Sequence, residues 1–308
     1  MSELRNGSGQ CYNPRMTRAL PTELARHLAQ LLKRTRRRYR KRLTACQRDF
    51  SETAVHQLRV ETRRALALLD LMMALDLAGS PKKPRRTLKR RLDAFDALRD
   101  TQVELRLLGP WLKQFPEARE FESFLLNSEQ ELVAELRREI RALKSRRVER
   151  RFKALEKDVR AARGNSPRPA VAFLQTPLRA AFAQVAKLRR QVRRLDPATI
   201  HRTRVAFKKF RYLCELFQPL LPDSSPARLR AMRDWQTRMG RIQDVEVLLC
   251  EIERAVRHGK VSLESVKRLH AALAQQLVLL VNRFISTADR LDQFKPRASD
   301  RAQLNAGD

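Results

Sequence analysis

Apolar residues recur at helical spacing along almost the whole chain. Leu20, Leu24, Leu28, Leu31 and Leu32 form one stripe, which predicts a first helix over about 18–48 containing the cation run Lys33 to Arg42. Ser51 is placed to cap a second helix, with Glu52 in its first turn, that runs to about Gly79. The turn Ser80 to Pro84 leads into a third helix over about 85–108, closed by Gly109-Pro110. A long fourth helical stretch over about 117–163 carries mixed charges. The cluster Gly164 to Pro169 then interrupts the pattern and is the best internal boundary. Beyond it the periodicity predicts a helix over about 170–195 and another opening at Asp196-Pro197 and continuing to about Leu221. Two more follow over about 226–257 and 262–293. No segment alternates in strand fashion for long, so the chain reads as all-α, with 1–16 a flexible leader and 297–308 a flexible tail.

The second half repeats the first. A shift of 145 lays His56 on His201, Arg59 on Arg204, Val60 on Val205, Arg63 on Lys208 and Arg64 on Lys209. The caps obey the same offset, Ser51 falling on Asp196. With one residue of slippage the third helices agree as well, and Asp100 falls on Asp244. The expected architecture is two pseudo-symmetric four-helix bundles, residues 17–165 and 166–296, arising from an internal duplication.

Charge changes the picture more than size does. Apolar residues make up 43% of the 308, which is enough to bury a core and excludes wholesale disorder. Lys and Arg total 66 against 34 Asp and Glu, a net charge of +32. Such an excess repels itself in the compact state and points to an anionic partner, whether nucleic acid, an anionic membrane or a phosphate polymer. Cys11, Cys46, Cys214 and Cys250 lie far apart with no CxxC pair, a pattern of incidental reduced thiols and not of a zinc site or disulfide framework. The N-terminus shows no apolar signal region, and the stretch Leu66 to Ala78, interrupted by Asp70 and Asp76, is too short to span a bilayer. A cytoplasmic protein without membrane insertion is the expectation.

The repeated segment carries the candidate chemistry. His201, Arg204, Lys208 and Arg211 sit at i, i+3, i+7 and i+10, one row along a helix that rises about 15 Å over ten residues. Lys209 flanks this row, and Ile200, Phe207, Phe210, Cys214 and Phe217 supply the opposite, core-facing side. The first copy has His56, Arg59 and Arg63, flanked by Arg64. Cations about one helical turn apart suit a linear chain of phosphates, Arg gripping oxygens bidentately and Lys acting as a point charge. Two roles fit each histidine: a cation recruited by the polyanion, so that binding tightens below neutral pH, or a neutral imidazole that buttresses the row. Arg36, Arg37, Arg40 and Lys41 on the first helix are secondary candidates, as are Arg189, Arg190, Arg193 and Arg194 near the corresponding place. A solvated helix end accounts for each of these equally well.

The two motifs H-Q-L-R-V-x-T-R-R and H-R-x-R-V-A-x-K-K-x-R-Y, duplicated in a basic helical chain, resemble the conserved histidine α-helical domain (CHAD) family over about 18–293. The resemblance implies antiparallel helical bundles around a basic central groove or pore. It implies inorganic polyphosphate as the ligand and association with polyphosphate granules. By position it puts His56, Arg59, Arg63 and Arg64 on one wall, and His201, Arg204, Lys208, Lys209 and Arg211 on the other. Where the family often has a further arginine this chain has Leu66, the counterpart of Arg211, so the first comb is shorter.

Other functions fit less well. A kinase or hydrolase acting on polyphosphate needs a nucleotide cradle or a carboxylate cluster for metal ions, and the chain has no G-x-x-x-x-G-K-[ST] loop and no H-E-x-x-H. Asp100 and Asp244 recur, but each can pair with local arginines. Single-stranded nucleic acid wants aromatic stacking platforms, and Phe207, Phe210 and Tyr212 fall off the cationic row. The functional expectation is noncatalytic binding of inorganic polyphosphate, with no cofactor and no metal. Polyphosphate-metabolising enzymes are candidate partners, and weak nonspecific nucleic-acid binding accompanies the main activity. A nonspecific nucleic-acid-binding basic protein is the alternative.

Overall fold

The computed structural model describes residues 19–77, 80–164, 166, 168–221 and 224–296. The leader 1–16, the tail 297–308, Cys11 and the expected helix end at Gly79 lie outside the described residues. Among the described residues there are ten α-helices, short 3-10 turns and no β-strand, so the all-α reading holds.

In α1 (Thr22–Arg48), Leu24, Leu28, Leu32, Tyr39, Leu43 and Cys46 are all buried along one stripe, while its arginines other than the half-buried Arg36 and Arg42 are exposed. That stripe packs against α2 (Glu52–Ala74) and α6 (Arg146–Ala161). Ser51 caps α2 as expected, its Oγ accepting from the Ala54 amide at 3.3 Å. Asp196 does not cap in this way. Its side chain makes no capping bond, Pro197 opens the helix, and the Asp196 carbonyl accepts from the Thr199 amide at 3.0 Å.

Two expected helices are broken, and the first half folds as six α-helices where four were expected. The third divides into α3 (Lys82–Asp93) and α4 (Asp96–Leu108), with Phe95 turned inward at 2% exposure against Phe50. Gly109-Pro110 closes α4 at Leu108 as expected, and the chain continues as a 3-10 turn over Gly109–Lys113. The long fourth stretch divides into α5 (Arg119–Ala142) and α6, because Leu143 is extended. The carboxamide of Gln47 on α1 donates to the Ile140 and Leu143 carbonyls at 2.9 and 2.8 Å, satisfying backbone acceptors at this break.

The second half holds α7 (Ala170–Arg190), α8 (Pro197–Leu216), α9 (Pro226–Arg257) and α10 (Leu263–Ile285). A final 3-10 stretch covers Ala288–Phe294. The helices α7, α8, α9 and α10 pack in sequence, each on the next. The main core runs through both halves, from Leu24 on α1 to Trp235 on α9 and Phe294 at the end. Trp235 lies between Phe207, at 4.4 Å between ring centroids, and Phe284, at 5.6 Å. A smaller core joins the end of α4 and the start of α5 to the end of α9 and the start of α10, through Leu108, Phe121, Leu248 and Leu269. Among the described residues no single helix is long and apolar enough to cross a membrane.

Candidate functional site

The two helices that carry the repeated motif are neighbours. α2 packs on α8, and α4 packs on α9 beside them. Each motif helix buries its apolar side: Val55, Leu58, Leu69 and Met72 on α2, and Ile200, Phe207, Phe210 and Cys214 on α8. The core-facing residues expected from the spacing, Phe217 included, are all buried. With those faces committed to the core, the cationic rows of the two helices are left to meet each other.

Lys208 is the clearest marker of that meeting. Burial, then Arg63, Arg204, Arg211 and Arg59, push its ammonium down to about 7. Arg59 and Arg63 come from α2, so the two combs form one electrostatic cluster. Burial also holds Arg204 below its ordinary value, Asp244 partly offsetting this and Arg63 adding to it. Arg63, Arg204 and Lys208 make no hydrogen bond or ion pair among the described residues, and the Nε of Arg204 is fully buried without a partner. Gly240 on α9 lies against that side chain, and a Cβ there would stand 3.6 Å from Arg204 Nε, an ordinary contact.

The other motif arginines are already engaged. Arg59 is 3% exposed and donates to Asp96 at 3.0 Å and to the Leu92 carbonyl at 3.4 Å. Arg211 is buried, donates through Nε to Gln236 at 2.8 Å, pairs with Glu215 and lies over the Tyr212 ring at 4.6 Å. Arg64 is exposed and donates to Glu61 at 2.7 Å. Lys209 is exposed and free of ion pairs among the described residues. His56 is exposed at the head of its row, and burial followed by Arg99, Arg63, Arg106 and Arg59 favours its neutral form. His201 is also exposed, its Nδ1 donating to Gln243 Oε1 on α9.

The structure adds residues that spacing alone did not single out. Arg99 and Arg106 from α4 stand near His56, and Arg106 pairs with Glu52. Asp244 balances Arg204, Arg99 and Arg106, while Asp100 faces Arg59 and Arg99; burial raises both carboxyls. Their recurrence at the one-residue-slipped offset was the available signal. A cavity of about 250 Å³ is lined by Arg34, Arg38, Arg64, Arg233 and Tyr212, with Glu61 paired to Arg64 and Glu215 to Arg233 in the same wall. The basic surface therefore extends onto α1 through Arg34 and Arg38. Of the secondary candidates, Arg36 is half-buried with its Nε unpartnered, and Arg40 pairs with Glu149 at 3.6 Å. Arg189 pairs with Asp289, and Arg37, Lys41, Arg190, Arg193 and Arg194 are exposed. The remaining histidines play local parts: His27 donates to the Leu216 carbonyl at 2.8 Å, His270 meets Glu253 at 3.1 Å and His258 follows α9.

A family model, that of the CHAD domain, matches residues 22–253. The crystal structure of the CHAD domain from the plant Ricinus communis is similar in fold, with a TM-score of 0.69 at 20% sequence identity. That likeness covers 90% of this chain and 96% of the plant one. None of the curated proteins matches the chain.

Proposed function

The chain belongs to the CHAD domain family, and from that premise we propose that it binds inorganic polyphosphate, without catalysis, where α2 meets α8. The observation that carries this reading is the state of Lys208, which is held among Arg59, Arg63, Arg204 and Arg211 with no carboxylate bonded to it. Gathering like charges is costly, and a polyanion laid along them removes the cost. Nucleic acid offers phosphate too, but of the aromatics of α8 Phe207 and Phe210 are fully buried, and the half-buried Tyr212 already has the Arg211 guanidinium over its ring at 4.6 Å.

The working groups on this reading are those without internal partners. Arg63 and Arg204 grip phosphate oxygens, Lys208 and Lys209 act as point charges, and His56 joins them when protonated. Arg59 and Arg211 hold the frame and contribute their field. Release of counterions from the polymer supplies much of the affinity, so binding weakens steeply with salt. No cofactor takes part. The protein acts at polyphosphate granules in the cytoplasm, where polyphosphate-metabolising enzymes are its natural neighbours.

A competition titration at near-physiological salt tests the proposal. Labelled long-chain polyphosphate is displaced in turn by unlabelled polyphosphate, duplex DNA and RNA, using the parent chain and a variant with Arg63, Lys208 and Lys209 all changed to Ala. Polyphosphate is expected to compete far better than either nucleic acid, and the variant to lose that preference. Equal competition by DNA, with the variant binding like the parent, would make the protein a nonspecific nucleic-acid binder.

A further inference from the structure

An acidic cavity of about 760 Å³ lies between α4, α5 and α9. Asp100 and Glu104 from α4, Glu131 and Glu135 from α5, and Glu246 and Glu251 from α9 line it, with Arg254 the one cation in its wall. Arg254 is taken by Glu251 at 2.7 Å. The other five carboxylates make no hydrogen bond or ion pair among the described residues. In a chain with 66 Lys and Arg against 34 Asp and Glu, surplus cations are everywhere available to pair with them. Glu104 is the sharpest case: 4% exposed, facing the cavity, and unpartnered. Burial, then Glu251 and Asp100, push its carboxyl up to about 8, the mark of a site short of positive charge.

The shape selects the kind of cation. No group of three or more Asp, Glu, His or Cys side chains among the described residues converges to hold a metal ion. The cavity is of the size that takes a small organic molecule. Asp100 and Glu104 are four residues apart, as are Glu131 and Glu135, so each pair rises about 6 Å along its helix. Three or four methylenes between two ammonium groups give a comparable separation. Ala97, Leu132 and Val247 supply apolar wall between the acids. We propose that this cavity is a binding site for a linear oligoamine, its ammonium groups meeting the unpaired carboxylates and its methylenes lying on the apolar residues. The site does not depend on the polyphosphate reading. Its Gln243 is nonetheless the residue that accepts from His201, so the two sites share a wall.

The test is calorimetric titration of the full chain with spermidine in polyphosphate-free buffer, beside magnesium chloride and butylamine. The triamine is expected to bind saturably at one site, at least tenfold more tightly than either control. Changing Glu104→Gln and Glu246→Gln together is expected to weaken it at least tenfold. Glu131→Gln with Glu135→Gln, both exposed on α5, provides a second variant that leaves the core untouched, with a loss of about fivefold expected. Three outcomes would overturn the proposal: no saturable triamine binding, unchanged affinity in whichever variants fold as the parent does, or magnesium or butylamine binding as tightly. Because polyphosphate is left out, none of these bears on the groove.

Discussion

Arg59 on α2 donates to the carboxylate of Asp96 at 3.0 Å, across the break that separates α3 from α4. A second guanidinium nitrogen reaches the Leu92 carbonyl on the other side of the same break, at 3.4 Å. The arginine is 3% exposed and the carboxylate 55%, so the buried member of the pair is the cation. Arg59, a member of the cationic row in the sequence, is thus a brace, whereas Arg63 and Lys208 make no hydrogen bond or ion pair among the described residues. A buried guanidinium with few bonds is costly, which places most of its value in the two contacts at the break.

Replacing Arg59 by Ala removes both contacts and leaves a cavity beside α2. The expected loss of stability is about 2–4 kcal/mol. It is read as a lower urea midpoint at unchanged slope. Asp96→Asn keeps an acceptor oxygen and is expected to cost less, about 1 kcal/mol. A midpoint for the alanine variant equal to the parent's would remove Arg59 from the frame.

Gly240 lies within α9, where glycine costs about 1 kcal/mol relative to alanine. A methyl there would meet only the Arg204 side chain, at 3.6 and 3.8 Å, which is ordinary contact. Gly240→Ala is therefore expected to stabilise the fold by about 0.5–1 kcal/mol. A differential scan that shows a lower melting temperature would mean that Arg204 needs the empty space.

The sequence was readable where one helix decides the outcome and opaque where three must meet. The stripe Leu24, Leu28 and Leu32 and the buried face Ile200, Phe207, Phe210 and Cys214 follow from periodicity alone, and both appear in the structure as expected. The breaks at Phe95 and Leu143 do not, since they rest on tertiary partners: Phe50 for one, the Gln47 side chain for the other. In the motif itself, spacing put Arg59, Arg63, Lys208 and Arg211 on equal terms. What divides them is the residue another part of the fold brings opposite, Asp96 for Arg59 and Gln236 for Arg211. Of the acidic cavity the sequence singled out Asp100 alone, because its walls come from α4, α5 and α9 together.

Lys208 should show a conflict between stability and binding. It is inward-leaning and surrounded by arginines, so the empty protein gains by losing its charge. Lys208→Met keeps the length of the side chain and is expected to stabilise the unliganded fold by about 1 kcal/mol at neutral pH. That corresponds to a rise in melting temperature of roughly 2 °C for a chain of this size. The same variant is expected to bind polyphosphate at least threefold more weakly. Weaker binding with lower stability would mean that Lys208 serves the fold and not the ligand.

The pH dependence of binding and of stability should run in opposite directions. In the empty protein Lys208 titrates at about 7, and like-charged neighbours with burial hold His56 below its ordinary value. Phosphate oxygens favour the charged form of both, so binding takes up protons and affinity rises as pH falls from about 9 to about 6. The cationic groups around them are Arg59, Arg63, Arg99, Arg106, Arg204 and Arg211. Asp244 also stands near the cluster, its carboxyl raised by burial. For folding the sign reverses. A lysine at about 7 in the folded chain and at about 10.4 when unfolded binds fewer protons folded, so its contribution to stability grows as pH rises through that window. Melting temperature without ligand and the dissociation constant for long-chain polyphosphate, both measured at pH 6, 7, 8 and 9, separate the two effects. In Lys208→Met the lysine's part of each slope should vanish, leaving in binding the shallower dependence due to His56, and in stability that of His56 together with the opposing one of Glu104, whose carboxyl is pushed up to about 8. A parent protein whose affinity stays flat across the range would mean that polyphosphate passes Lys208 by.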